Sequence, residues 1–144
     1  MKEAFEEAKI AFSEGEVPIG AVVVKDGKIV GRGHNKREYG KNALYHAEIL
    51  AINEACKNLN GWRLFDCDMY VTLEPCPMCA GAIINSRIKN LYFSAYDKRF
   101  GACGSVINLF EYPFNHIPKV SSGIMEDDSV NLLKKFFKEL RNKN

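Results

Sequence analysis

Apolar side chains at Met1, Ala4, Phe5, Ala8, Ala11 and Phe12 recur every three or four residues, which places them on one face of a helix, and Gly15 stands where such a helix would end. The period then changes. Val17 to Val24 is almost wholly apolar and β-branched, and Ile29-Val30 resumes the pattern beyond Lys25-Asp26-Gly27-Lys28, so the Asp-Gly pair predicts a hairpin turn between two antiparallel strands. His34 to Tyr45 is polar and aperiodic, as expected of a surface loop that carries contacts. Helical spacing returns near His46 and runs through Cys56.

Asn60-Gly61 breaks that helix, and Met69 to Leu73 reads as a short strand leading straight into Glu74-Pro75-Cys76-Pro77-Met78-Cys79. Ala80 to Ile84 has the character of a buried helix, and Ile88 to Ala95 of a fourth strand. Strand, helix and strand within about thirty residues match the size of a βαβ unit, so those two strands are expected to be parallel. The stretch from Tyr96 to Pro118, with Gly101, Gly104, Val106, Ile107, Leu109 and Phe110, is long enough for a crossover to a last short strand near Lys119 to Ser122, again parallel. Val130, Leu133, Phe136, Phe137 and Leu140 mark a final amphipathic helix in which Phe136 and Phe137 are expected to anchor in the core. Its acids at Glu126 to Asp128 and its late lysines suit the helix macrodipole. The alternation of elements predicts an α/β sandwich around a mixed sheet.

With 144 residues, 47% of them apolar, the chain can bury one substantial core, and a single domain over residues 1–144 is expected. No apolar run approaches the roughly 20 residues needed to span a bilayer, and Met1 leads into a charged amphipathic stretch unlike a signal peptide, so a cytoplasmic protein that uses no membrane is expected. The formal charge of +2 neither demands nor excludes RNA. Its basic residues gather at Lys36, Arg37 and Lys41, at Lys98 and Arg99, and from Lys134 to Lys143, which suits solvated faces. Five cysteines are an odd number, and in a reducing compartment thiols serve more often as metal ligands or small core residues than as disulfide partners.

Two segments carry candidate chemistry: His46-Ala47-Glu48 opens one predicted helix and Cys76-Pro77-Met78-Cys79 opens another. Cysteines three apart in a first helical turn share a face, and the partial positive charge at a helix start favours thiolates. Pro75 and Pro77 are tolerated there because first-turn N–H groups have no intrahelical partner. Two thiolates and one imidazole give zinc three protein ligands and leave the fourth position to water, the arrangement of a catalytic site. Two thiolates also cancel the ion's charge, so a base is needed nearby, and Glu48, two positions from His46, suits that role. A lone Cys-x-x-Cys could instead be a redox pair or half of a structural zinc site, for which Cys56, Cys67, Cys103, His34 and His116 would be the candidate fourth ligands. None of these forms a second closely spaced pair. Cys56 and Cys67 suit ordinary core or surface roles. His46 with Glu48 and a downstream Pro-Cys-x-x-Cys follows the known signature of zinc nucleobase deaminases.

At these residues the chain resembles the bacterial tRNA-specific adenosine deaminases of the cytidine deaminase superfamily. The resemblance runs through Glu16-Val17-Pro18-Ile19-Gly20-Ala21-Val22-Val23, His46-Ala47-Glu48-Ile49, Tyr70-Val71-Thr72-Leu73-Glu74-Pro75-Cys76, Met78-Cys79-Ala80-Gly81-Ala82-Ile83 and Ser86-Arg87-Ile88, and on through Gly101-Ala102-Cys103-Gly104-Ser105 to Asn115-His116. It implies a three-layer α/β/α sandwich on a five-stranded sheet, one Zn2+ per subunit and a homodimer whose interface helps form the RNA site. The implied reaction is hydrolytic conversion of adenosine to inosine at the wobble position of a tRNA anticodon stem-loop. It also implies metal ligation by His46, Cys76 and Cys79, proton transfer by Glu48, and substrate contacts at Asn35, Ala47, Glu74 through its backbone carbonyl, Asp97 and Asn115. The chain departs from the family at Asn42-Ala43-Leu44-Tyr45, where Asp-Pro-Thr-Ala is common, and at Tyr96, where arginine is usual. Pro77 between the cysteines is shared with guanine deaminases and other small-base deaminases. A free nucleobase or nucleoside of guanine, cytosine or adenine type is therefore the alternative substrate. A zinc or RNA-binding module without catalysis is the alternative from another class; it would show a closed ligand shell and tolerate Glu48→Gln.

Overall fold

The computed structural model describes residues 1–143. Helix α1 spans Lys2–Ser13, strands β1 and β2 span Gly20–Lys25 and Lys28–His34, and helix α2 spans Ala47–Asn58. Strand β3 (Cys67–Leu73), helix α3 (Pro77–Ser86) and strand β4 (Asn90–Ala95) follow, then a 3-10 turn at Leu109–Glu111, strand β5 (Lys119–Ser122) and helix α4 (Glu126–Lys143). The sheet order is β2-β1-β3-β4-β5. The first three strands pair antiparallel, while β3 with β4 and β4 with β5 run parallel. This is the mixed five-stranded α/β sandwich that the alternating pattern implies.

The hairpin forms because Asp26 and Gly27 both adopt positive φ, 50° and 75°, the geometry whose twist matches that of the flanking strands. Strand β1 starts three residues later than the apolar run does. Pro18 has no N–H to give a ladder, and Ile19 N–H donates instead to the Val17 carbonyl at 2.9 Å. Likewise Ile88 lies outside β4, its N–H closing the end of α3 on the Ile83 carbonyl.

Helices α2 and α3 cover one face of the sheet, where Ala21, Val23, Met69, Val71, Leu91 and Phe93 are buried. Helices α1 and α4 cover the other. There Phe136 is buried and meets Phe12 edge-on at 5.7 Å. Its neighbour Phe137 is 41% exposed, contrary to the expectation that both phenylalanines anchor in the core. Adjacent helical positions diverge by about 100°, so one face cannot bury both. Among the described residues, no helix is long and apolar enough to cross a membrane.

Glycines decide how closely the helices approach the sheet. A methyl group on Gly31 would overlap the Ala51 carbonyl oxygen, and one on Gly33 the Ala47 carbonyl oxygen. Alternate strand residues lie about 6.6 Å apart and helical residues four apart about 6 Å, so two glycines face two alanines in step. That match draws α2 onto β2 and fixes the position of its first residue, next to His46.

Candidate active site

Both segments with candidate chemistry begin helices that meet at one end of the sheet. His46 is the N-cap of α2 and Cys76 the N-cap of α3, each with extended backbone, and Pro77 occupies the first turn of α3. His46 Nδ1 lies 3.6 Å from Cys76 Sγ and 3.6 Å from Cys79 Sγ. The three ligand atoms all fall within 4.8 Å of one another, and among the described residues this is the group of histidine, cysteine and carboxylate side chains able to hold a metal ion.

The protonation of this group follows from its hydrogen bonds and burial. A hydrogen bond from the Cys79 thiol, helped by His46, lowers the Cys76 pKa to about 4, while Cys79, donating to that sulfur and buried, is held far up. A dication bound here would hold both cysteines as thiolates. Hydrogen bonding to Cys76 raises His46. Glu48, on the first turn of α2 and only 4% exposed, is raised to about 7, chiefly by burial and then by the Cys76 charge. A carboxyl poised between its two forms near neutral pH is suited to accept a proton and release it.

The other possible ligands are engaged elsewhere. His34 places its ring nitrogens 3.1 Å from Glu7 and 3.1 Å from Glu14, and His116 Nε2–H donates to the Ile88 carbonyl at 2.7 Å. Cys67 donates to the Phe65 carbonyl and Cys103 to the Pro75 carbonyl, at 3.6 and 3.9 Å. Cys56 Sγ lies 4.0 Å from the Trp62 carbonyl. A model of the MafB19-like deaminases matches residues 1–141.

The chain belongs to that deaminase family. It is 51% identical to the tRNA-specific adenosine deaminase of Bacillus subtilis, over 99% of this chain and 89% of that protein. It is 49% identical to the tRNA-specific adenosine deaminase of Rickettsia bellii, over 98% of this chain and 99% of that protein. A structure solved in work on A-to-I editing by tRNA deaminases at the wobble position superposes with a TM-score of 0.89 at 44% identity, covering 92% of this chain and 96% of that one.

The remaining residues named from the sequence lie on α2 and on the segments that follow β2, β3 and β4. Asn35 is buried just past β2, its amide donating to the Val17 carbonyl at 3.3 Å and its carbonyl accepting Arg37 N–H at 3.1 Å. Ala47 is buried as the first residue of α2. Asp97, half-buried, accepts N–H bonds from Arg99 and Phe100 and so caps its own turn. Asn115 is exposed on the segment that His116 pins to Ile88. Tyr45 rests its ring against Gly40, so a methyl group at Gly40 would overlap it.

Sequence reasoning overlooked the side chains of two buried acids. The Glu74 side chain gathers the 97–105 loop and Glu16 gathers the 35–45 loop. The available signal was a single carboxylate in each of the largely apolar runs 16–23 and 70–76.

On the opposite face of the sheet a groove of about 770 Å³ runs between the end of β4 and α4, with Tyr96, Arg99, Lys134, Phe137, Lys138 and Arg141 on its walls. Leu73 pairs with Ala95, so this groove opens at the same strand ends that lead to Cys76.

Proposed function

We propose that this deaminase converts adenosine to inosine at the wobble position of a tRNA anticodon loop, with zinc held by His46, Cys76 and Cys79. The observation that carries the reading is the three-ligand group with Glu48 buried beside it and no fourth side-chain ligand among the described residues. Near identity of length and about 50% identity of sequence with tRNA-specific adenosine deaminases support the substrate.

Zinc in that place would present an acidified water molecule to the base. Glu48 would carry the two protons of that water in turn, the first to ring nitrogen N1 and the second, from the new C6 hydroxyl, to the leaving amine. The C6–O bond forms, the C6–N bond breaks, and ammonia departs, leaving inosine with its proton on N1. The dry surroundings of Glu48 keep its proton exchange with bulk water from competing with transfer to the base. The base must first leave its stack, which costs less in a single-stranded loop than in a duplex. Asn35, Ala47, the Glu74 carbonyl, Asp97 and Asn115 are assigned to hold the extruded nucleoside and its neighbour. The basic groove with Phe137 and Tyr96 has the charge for the phosphates and the rings on which bases stack.

The enzyme is assigned to the cytoplasm and to a homodimer with one zinc per subunit. Exposed Phe100, Val106, Ile107, Tyr112 and Phe114, between β4 and β5, supply apolar surface for the second copy. The deciding experiment is mass spectrometry of nucleosides after incubation with an anticodon stem-loop and, separately, with free bases and nucleosides. Inosine arising in the stem-loop is the expected result. Turnover of free bases or nucleosides alone would give the alternative substrate class instead.

A further inference from the structure

Glu16 and Glu74 are each 2% exposed, yet the ion pairs among the described residues include neither. Their charges are met by loop N–H and O–H donors. Glu74 Oε1 accepts Asp97 N–H at 3.0 Å and the Ser105 hydroxyl, and Oε2 accepts Cys103 N–H at 3.0 Å and Ser105 N–H at 3.1 Å. Glu16 accepts Glu38 N–H on Oε1 at 3.1 Å and Tyr39 N–H on Oε2 at 2.7 Å. Each loop thereby turns around an anion buried in the scaffold.

The two loops frame the ligand group. The first runs from Asn35 into His46, and its far end is tied by Lys36 N–H to the Tyr45 carbonyl at 3.0 Å. The second is tied to the α3 entrance by Ala102 N–H on the Pro75 carbonyl at 2.9 Å, one residue before Cys76. Gly101 lies so close that a methyl group there would overlap the Glu74 carboxyl carbon.

We propose that Glu16 and Glu74 are paired positioning residues, whose buried carboxylates fix the two loops that receive the substrate and so govern its capture more than the chemical step. This rests on the deaminase reading above and deepens it. Neither acid takes part in proton transfer. Asp97 presents its side chain to a substrate only while its own N–H is held by Glu74, and Asn35 is held between Val17 and Arg37 beside the turn that Glu16 anchors. Amide substitution breaks the arrangement in either orientation. In Glu16→Gln one backbone N–H must face an NH2 group, and in Glu74→Gln, where each oxygen accepts two bonds, at least one backbone N–H must do so in either orientation.

The test uses full-length zinc-loaded protein with Glu16→Gln, Glu74→Gln, Ser105→Ala and Gly101→Ala. Hydrogen exchange of the amides of Asp97, Cys103 and Ser105 is expected to quicken by about tenfold or more in Glu74→Gln, the equivalent of one or two missing hydrogen bonds. The amides of Glu38 and Tyr39 respond in Glu16→Gln. KM for the stem-loop is expected to rise by about tenfold in each with kcat within about twofold and zinc content unchanged. Ser105→Ala, which removes one donor, gives a smaller rise in KM of the same kind. Gly101→Ala pushes on the carboxylate from the other side and reproduces Glu74→Gln if that variant fails to fold. Unchanged loop exchange, loss of zinc, or a fall in kcat at constant KM would overturn the proposal. Should the wild type act only on a free nucleoside, the tRNA reading fails separately, and the same split between KM and kcat is read on that nucleoside.

Discussion

Gly33 carries Ala47: the strand glycine lies so close under the first residue of α2 that any Cβ would strike the Ala47 carbonyl oxygen. His46 is the residue before that close approach, so the place of its ring in the candidate ligand group is set by a backbone packing distance in a neighbouring strand. Gly33→Ala is expected to destabilise the protein by about 1–3 kcal/mol in urea unfolding, the range for forcing a methyl into a packed interior. It should also weaken zinc retention. Gly61→Ala, where nothing lies within 4 Å of the added methyl, is the control and should leave both measures nearly unchanged.

Removing a ligand separates the metal from the fold. The purified wild type should contain about one zinc per chain by elemental mass spectrometry, and Cys79→Ala should lose it together with inosine formation. Chelation of the wild type should abolish activity, and added zinc should restore it. A fully active, metal-free protein would remove the basis of the mechanism.

Glu48→Gln keeps the size and shape of the side chain and removes its ability to carry a proton. Zinc content should stay near the wild-type value while kcat falls by about 10²–10⁴, the usual worth of a positioned general acid or base. Activity within twofold of the wild type would remove Glu48 from the role of proton carrier.

In the metal-free protein, burial raises Glu48 from 4.5 to about 7. The fold thus favours the neutral acid. Its contribution to stability is fully present below about 4.5 and is lost as pH rises through about 7. A carbon-13 titration of the Glu48 carboxyl should show a midpoint near 7 in the metal-free chain, and zinc, a nearby positive charge, should move that midpoint down.

Lys138→Ala with Arg141→Ala removes two cations from the groove between β4 and α4. Stem-loop binding should weaken, and the plot of log affinity against log salt should flatten by about 0.7 for each phosphate that is no longer neutralised. Zinc content should not change. An unaltered salt slope would place the RNA elsewhere on the surface.

Much of this was legible in the chain itself. Asp26-Gly27 announces its hairpin because both positions need positive φ, and the parallel pairing of β3 with β4 follows from the length of chain between them. His46, Cys76 and Cys79, with Glu48 beside them, stood out because a ligand set and its base need particular atoms at particular helical offsets. Local periodicity could not tell Phe136 from Phe137, since which of them faces Phe12 depends on where α4 lands across the sheet.

The sequence alone determined which elements form and which side chains have the chemistry to hold a metal and move a proton, because backbone preference and donor atoms are local properties. The tertiary structure decided that two helix starts converge within 4.8 Å of ligand atoms, that Glu48 is dry, and that Glu16 and Glu74 are anchors of loops. These depend on burial and on hydrogen bonds between segments more than twenty residues apart, and only a packed core brings such partners together.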